Sequence, residues 1–164
     1  MTEFFLNKKK VKAKDDETIW TVAKREGIVL PHLCFADKPG YRADGNCRAC
    51  MVSIEGERVL AASCIRKPTE GMKVITNDER STKSRKMVLE LLVTDQPDRE
   101  TSHDPDSHFW NVASSVDVAK SRFDKREKTI VPCEDASHVA MSVNLDACIP
   151  VSYTHLRAHE TVVH

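Results

Sequence analysis

The sequence is 164 residues long, which suffices for one ordinary domain or for a small domain with a long extension. Its 25 Lys and Arg side chains balance 25 Asp and Glu side chains, an argument against a nucleic-acid-binding protein, which usually has a basic surplus. No apolar stretch approaches the roughly 20 residues of a membrane-spanning helix, and the first ten residues run from apolar to basic, the reverse of a secretory signal. We therefore expect a cytoplasmic protein without membrane insertion.

The first part of the chain predicts a β-hairpin followed by a short helix. An apolar strand at residues 4–6 precedes a strand at 11–14 in which apolar and charged residues alternate. Residues 15–18, Asp-Asp-Glu-Thr, can cap a helix, and apolar residues follow from Ile19 at helical spacing. Gly27 is a suitable residue to end that helix.

The chain then predicts an irregular loop and three further strands. Residues 31–50 contain glycine, proline and small polar residues, which favour a loop over a regular element. Strands are predicted at 51–54, 59–62 and 72–76, the first two joined by the turn Glu-Gly-Glu-Arg. The order β-β-α-loop-β-β-β predicts an α+β fold, and the β-grasp architecture has this order. We therefore place the first domain at residues 1–76.

A helical and irregular extension is predicted beyond this domain. Residues 77–97 predict a helix that packs on the domain or follows it, with an Asn-Asp cap at its start. Residues 98–138 are polar and charged, apart from Phe109 and Trp110, and predict a linker with a short helix over 112–123. The apolar positions of the helix predicted over 77–97 include Met87, Val88, Leu91 and Leu92.

Four of the six cysteines lie close together in the sequence, with the spacing C-x12-C-x2-C-x13-C. The two cysteines of a C-x-x-C motif can bind neighbouring positions of one metal site, and the other two complete a set of four thiolates. A [2Fe–2S] cluster needs this set, because each of its two irons takes two thiolates besides the bridging sulfides. We therefore predict four cluster ligands: Cys34, Cys47, Cys50 and Cys64.

Such a cluster with four thiolates carries a charge of about −2 before reduction, which the protein has to stabilise. Backbone N–H groups of a glycine-containing loop can approach the sulfurs closely, and Arg42 and Arg48 can offset part of the charge. The same cysteine spacing is also compatible with a structural zinc site, with two disulfides as in a secreted protein, and with unrelated buried cysteines.

The segments around these cysteines are CF at 34–35, GNCRACMV at 45–52, ASC at 62–64 and EGMKV at 70–74. They resemble the N-terminal domain of NAD-dependent formate dehydrogenase alpha subunits, which the large iron–sulfur subunit of NADH:quinone oxidoreductase shares. The resemblance extends to about residue 149. It implies a [2Fe–2S] centre in an electron relay between a molybdenum or tungsten pterin site and a flavin/NAD module.

The resemblance also implies what surrounds this chain. The full-length parent would hold further [4Fe–4S] clusters and molybdopterin, and its partners would be a flavin/NAD-binding subunit and the remainder of its own chain. No residue here is predicted to be catalytic, because the pterin-binding domains would lie beyond this fragment. Two alternatives stay open: a stand-alone ferredoxin-like electron carrier, and a zinc-stabilised interaction module without a redox role.

The sequence departs from the family after its second helix. Many members next carry a [4Fe–4S] site built from one histidine and three cysteines. No cysteine occurs between Cys64 and Cys133, so we expect this cluster to be absent here. His103 and His108 are then predicted to be solvated loop residues.

A second departure concerns residues 139–149, which resemble the start of a two-cluster [4Fe–4S] ferredoxin module. In the family, a run C-I-x-C-x-x-C-x-x-x-C would follow. Only its first cysteine, Cys148, is present, so we expect no cluster there. Cys133 is predicted to be an unligated thiol.

Residues 150–164 are predicted to be a non-native tail. Their beginning, PVSYTHLRAHET, matches the translation of a nucleotide string that resembles a transposase-based sequencing adapter. We therefore exclude this segment from the fold and do not interpret His155, His159 and His164 as a metal site. A continuous gene encoding these residues at the source locus would contradict this interpretation.

Overall fold

A computed structural model describes residues 1–38, 42–102, 104–125, 134–144 and 147. The described chain divides into two compact units, one within residues 1–88 and one within residues 89–150. The domain boundary predicted from the sequence lies at residue 76, whereas the boundary between these units falls after Val88, inside a helix.

Five strands of the first unit form one mixed sheet: β1 Thr2–Leu6, β2 Lys9–Ala13, β3 Met51–Ile54, β4 Ala61–Ala62 and β5 Lys73–Ile75. Their order in the sheet is β2-β1-β5-β3-β4. The central strand β5 pairs in parallel with β1 and antiparallel with β3, and both outer pairs are antiparallel. With helix α1, Ile19–Arg25, the unit confirms the predicted α+β class.

The hairpin of β1 and β2 is closed by the two residues Asn7 and Lys8. Both have positive φ, 50° and 71°, as a two-residue type I′ turn requires. The Asn7 side chain also ties the turn to the end of β5, since its Nδ2 donates to Thr76 Oγ1 at 2.7 Å and its Oδ1 accepts from the Thr76 N–H at 2.8 Å. The predicted hairpin is thus confirmed, with longer strands than the sequence indicated.

Helix α1 begins and ends where its sequence predicts. Thr18 caps its start, because the hydroxyl accepts a hydrogen bond from the Thr21 N–H at 3.3 Å. Its end is followed by Gly27, which has a φ of +77° that few other residues adopt. Lys24 and Arg25 in its last turn complement the helix dipole.

The core of the first unit lies between α1 and one face of the sheet. Alternate residues of β1 and β2 are buried, as the period of two in a strand requires. Burial of each large apolar side chain contributes about 1.5–3 kcal/mol to folding. Its largest fully buried apolar side chains are Phe4, Leu6, Ile19, Val22, Val52 and Val74.

A second helix, α2, spans Glu79–Thr94 and confirms the helix predicted over 77–97. Its apolar residues are not its most buried ones, because Leu91 is half exposed and Met87, Val88 and Leu92 are only partly buried. Five positions of α2 are buried: Glu90 and four others that follow an i, i+4 stripe. The stripe begins with polar residues, which a search for apolar periodicity overlooks. The stripe consists of Ser81, Arg85, Leu89 and Val93.

In the second unit, helix α3 spans His108–Ser115, so the helix predicted over 112–123 is wrong in both limits. Ser107 caps its start, because the hydroxyl accepts from the Trp110 N–H at 3.5 Å. The chain leaves the helix before Asp117, whose φ is +58°. A 3-10 turn at Arg99–Thr101 precedes α3, and an antiparallel hairpin of β6, Glu134–His138, and β7, Met141–Asn144, follows it.

Several sequence predictions concern residues outside the described ranges. These are the roles of His103, Cys133 and Cys148 and the origin of the segment 150–164. Within the ranges that are described, none of the helices has the length and apolar character needed to cross a membrane.

The sheet core predicts which side chains carry the stability of the first unit. Leu6→Ala should lower the free energy of unfolding by about 2–5 kcal/mol, because Leu6 lies fully buried in a strand with neighbours on both sides. Val29→Ala is the control, since Val29 is 90% exposed and its truncation should cost less than about 0.5 kcal/mol. Urea unfolding followed by circular dichroism measures both values, and equal losses would contradict this core.

Candidate metal centre

The four cysteines predicted to be ligands come from three places in the first unit. Cys34, Cys47 and Cys50 lie on the irregular connection from α1 to β3, whose described part contains no helix or strand. Cys64 follows β4, at the same end of the antiparallel β3–β4 pair as Cys50, which precedes β3. The Cys34 side chain is half-buried, and the other three are buried, so little water reaches the sulfurs.

The four thiols form one connected network of hydrogen bonds. Cys34 interacts with Cys47 and with Cys64, and Cys64 interacts in turn with Cys50. The bonds from Cys47 and Cys64 lower the pKa of the Cys34 thiol, and the bond from Cys64 lowers the pKa of Cys50 to about 6. The same bonds, together with burial, raise the pKa of Cys47 and of Cys64. The structure therefore brings all four sulfurs together.

Backbone N–H groups also point at these sulfurs. The N–H groups of Asn46 and Cys47 donate to the Cys34 sulfur, and both lower its pKa. The Ala49 N–H donates to the Cys47 sulfur, and the Cys64 N–H donates to the Cys50 sulfur. Such donors favour the thiolate over the thiol, because hydrogen bonds to the charged form stabilise it.

The loop reaches this arrangement through two residues with positive φ. Gly45 has φ +68° and Arg48, inside the C-x-x-C motif, has φ +56°. A β-carbon at Gly45 would lie 2.8 Å from the Ile65 Cδ1 atom, so the loop also packs closely against the residue after Cys64. A non-glycine residue in the left-handed region costs about 1–2 kcal/mol, so Arg48 holds its conformation against a local preference.

Helix α1 holds the chain around Cys64 in place. The Ile19 N–H donates to the Arg66 carbonyl at 2.9 Å, and the Trp20 N–H donates to the Ser63 carbonyl at 3.0 Å. The buried Ser63 hydroxyl donates to the Cys50 carbonyl at 2.7 Å. These bonds satisfy helix-terminal donors and link α1 to both cysteine-bearing segments.

Aromatic rings line the chain on the approach to Cys34. The buried Trp20 ring packs edge-on against His32, with ring centroids 4.7 Å apart, and against Phe35, at 4.9 Å. The Trp20 Nε1 atom donates to the Leu30 carbonyl at 3.2 Å. Edge-to-face contacts of this kind are worth about 0.5–1.5 kcal/mol each beyond burial, and here they fix the residues on both sides of Cys34.

A buried cation that was not predicted from the sequence lies beside this site. The Arg85 side chain on α2 is 8% exposed, and its Nε atom donates to the carbonyl of Met51, the residue after Cys50. The sequence signal was the spacing of Arg85, four residues after Ser81 and four before Leu89. This spacing places the three side chains on one face of a helix, the face that is buried in α2.

The two arginines predicted to offset the site's charge occupy exposed positions. Arg42 is 82% exposed and pairs with Asp44 at 3.0 Å, so much of its charge is already neutralised within the loop. Arg48 is also exposed. Solvent screens such surface charges, so they act on a buried site more weakly than a buried cation does.

The donor set fits a binuclear cluster. In the described part of the chain, no three His, Cys, Asp or Glu side chains group around a point suited to one metal ion. A [2Fe–2S] cluster has a different requirement, because each iron takes only two protein thiolates. His108 is exposed as predicted, but it is the first residue of helix α3 in the second unit, so its predicted place in a loop is wrong.

Comparison with protein families gives a match over the first part of the chain. Residues 1–79 match the family model described as a 2Fe-2S iron-sulfur cluster binding domain. This match, over just under half of the chain, confirms the [2Fe–2S] cofactor predicted from the cysteine spacing.

Similar proteins are subunits of large oxidoreductases. The chain is 35% identical over 100 residues to the NADP-reducing hydrogenase subunit HndD of Solidesulfovibrio fructosivorans, a match that covers 59% of this chain and 17% of that protein. It is 35% identical over 95 residues to the mitochondrial 78 kDa subunit of the NADH-ubiquinone oxidoreductase of Candida albicans, covering 58% of this chain and 13% of that protein. The chain thus spans less than a fifth of the length of these relatives. The predicted likeness to the NADH:quinone oxidoreductase subunit is confirmed.

A solved structure shares the fold. The NAD+-reducing [NiFe]-hydrogenase in its H2-reduced state superposes with a TM-score of 0.78 at 24% sequence identity, covering 99% of this chain and 67% of that chain. Identity at this level shows the common fold alone.

The backbone at Arg48 allows a direct test of the loop conformation. Arg48→Gly should be more stable than Arg48→Ala by about 1–2 kcal/mol, because only glycine adopts positive φ without a steric cost. Both variants lose the same charge, so each is the other's control. Urea unfolding measures the difference, and the usual ranking, with alanine above glycine, would contradict this loop geometry.

Proposed function

We propose that Cys34, Cys47, Cys50 and Cys64 are the ligands of a [2Fe–2S] cluster and that the domain transfers single electrons. One observation carries this proposal: the four sulfurs form one hydrogen-bonded network into which backbone N–H groups point. When bound, the cluster supplies one-electron redox chemistry.

The chain's own residues would hold and shield the cofactor. The backbone donors at Asn46, Cys47 and Ala49 would stabilise negative charge on the sulfurs, as they already favour the thiolates. Burial of Cys47, Cys50 and Cys64 would keep water from most of the site. No residue among those described is proposed to act on a substrate, so electron transfer is the whole chemistry of this domain.

The order of the sheet supports the β-grasp assignment made from the sequence. The central strand β5 lies between β1 and β3, with the two hairpins outermost and one helix connecting them across the sheet. In this architecture the loop after the helix can wrap around the cofactor. The strands keep Cys50 and Cys64 at neighbouring ends of β3 and β4.

At the level of the whole protein, we propose a segment of an NAD-linked oxidoreductase subunit in the cytoplasm. Its similarity to hydrogenase and NADH dehydrogenase subunits supports that class. The flanking segments around the cysteines favour a formate dehydrogenase alpha subunit within it. The cluster would then relay electrons between a molybdopterin site, together with [4Fe–4S] clusters, and a flavin/NAD-binding subunit.

A stand-alone electron carrier is the second candidate. The division of the chain after Val88 favours it, because residues 1–88 contain all four cysteines in one compact unit. The two candidates differ in their partners. A carrier would exchange electrons with a flavoprotein by transient collision, whereas a segment of a larger subunit would do so inside a stable complex that survives gel filtration.

The cofactor and its ligands can be tested together on the full chain, purified without oxygen. About two irons and two acid-labile sulfides per chain, with a spin-half electron paramagnetic resonance signal after dithionite reduction, are expected. Cys47→Ser should abolish or alter that signal, and Cys133→Ser, the matched control, should leave it unchanged. About one zinc per chain and no sulfide would contradict the electron-transfer role and support a zinc-stabilised interaction module.

A further inference from the structure

Arg85 is the one buried residue with a charged side chain among the described residues of the first unit. A buried guanidinium is costly unless its donors are satisfied, and arginine keeps its proton in proteins. It lies on a helix that contributes no predicted ligand, and it contacts the residue next to one, because it donates to the carbonyl of Met51.

Its donors connect three elements of the unit. The Arg85 Nε atom donates to the Met51 carbonyl at 2.8 Å, at the point where β3 leaves the C-x-x-C motif. The Nη2 atom donates to the Thr76 carbonyl at the end of β5 and to the Ser81 hydroxyl, at 3.2 Å, one turn earlier on α2. The guanidinium is thus held rigidly at the base of the cysteine loop.

Two negative groups interact with this fixed charge. Burial lowers the pKa of Arg85, while the charges of Asp78 and then Cys50 raise it. The Asp78 carboxylate is itself held by hydroxyl groups, accepting from Ser53 at 2.8 Å and from Ser81. The Arg85 charge therefore acts on a predicted ligand sulfur, and Asp78 offsets part of it.

We propose that Arg85 is a positioning residue that raises the reduction potential of the [2Fe–2S] site by placing a fixed positive charge behind Cys50. The inference rests on the proposed function. On accepting one electron from a reductant such as dithionite, the cluster with its four thiolates passes from a charge of about −2 to about −3. A nearby cation stabilises the second form more than the first, so Arg85 favours reduction.

The effect is large enough to measure. At an effective dielectric constant of about 20, a unit charge within roughly 10 Å changes a one-electron equilibrium on the order of tenfold. Exposed charges act more weakly, since water and salt screen them. Arg85 should therefore outweigh exposed arginines at comparable positions on the same helix.

The test separates the charge of Arg85 from its hydrogen bonds, using redox titration of the full chain followed by electron paramagnetic resonance. Arg85→Gln removes the charge, and at the wild-type midpoint potential the reduced fraction should fall from one half to about one tenth, a shift of about 59 mV. Arg85→Lys keeps the charge and should stay close to wild type in potential. It should unfold at lower urea concentration, because lysine cannot reproduce the forked donors.

Two further variants serve as controls. Arg80→Gln is the matched control, because Arg80 also lies on α2 and donates to a carbonyl, that of Arg58, at 2.6 Å, but is exposed. The reduction potential of this variant should equal that of the wild type. Asp78→Asn removes the charge that offsets Arg85, so it should raise the potential, opposite in sign to Arg85→Gln. Asparagine remains a good residue at the start of a helix, so the fold should tolerate this change.

The proposal is overturned if Arg85→Gln and Arg80→Gln have the same reduction potential. It is also overturned if Arg85→Lys and Arg85→Gln shift the reduction potential equally. If Arg85→Gln fails to fold, Arg85→Lys and Asp78→Asn decide the question, and an unchanged potential in Asp78→Asn then contradicts it. Wild-type protein without iron and sulfide would instead refute the proposed function itself, and with it this role for Arg85.

Discussion

Four thiolates that share one small volume repel one another, and a protein that gathers them has to supply compensating charge without admitting water. In this domain backbone N–H groups supply part of that compensation. The N–H groups of Asn46, Cys47 and Ala49 point at sulfurs, and this requires a loop in which successive residues leave regular secondary structure. The irregular connection from α1 to β3 is therefore a requirement of the site.

The remainder of the first unit keeps that loop in shape. Helix α1 binds the segment around Cys64 through the N–H groups of Ile19 and Trp20, and the Trp20 ring packs against the residues on both sides of Cys34. Arg85 ties α2 to the start of β3. The sheet gives all of these contacts a rigid base, so the sulfurs are held by elements that are themselves fixed by the core.

The sequence predicted well wherever one local signal determined the structure. The Thr18 cap and the Gly27 stop defined α1, and the cysteine spacing indicated a thiolate cluster of the kind that the family comparison confirmed. It did not predict that Arg85 on α2 is buried, because this side chain donates to the Met51 carbonyl, which only the folded sheet brings near. In the second unit, the cap at Ser107 determined where α3 begins, whereas the apolar residues after 112 had suggested a later start.

Iron K-edge X-ray absorption of the full chain, purified without oxygen, tests most directly whether these cysteines hold a binuclear cluster. The account predicts about four sulfur neighbours for each iron and one iron neighbour, as a [2Fe–2S] cluster with four thiolates requires. Oxygen or nitrogen neighbours in place of sulfur, or iron without an iron neighbour, would contradict it.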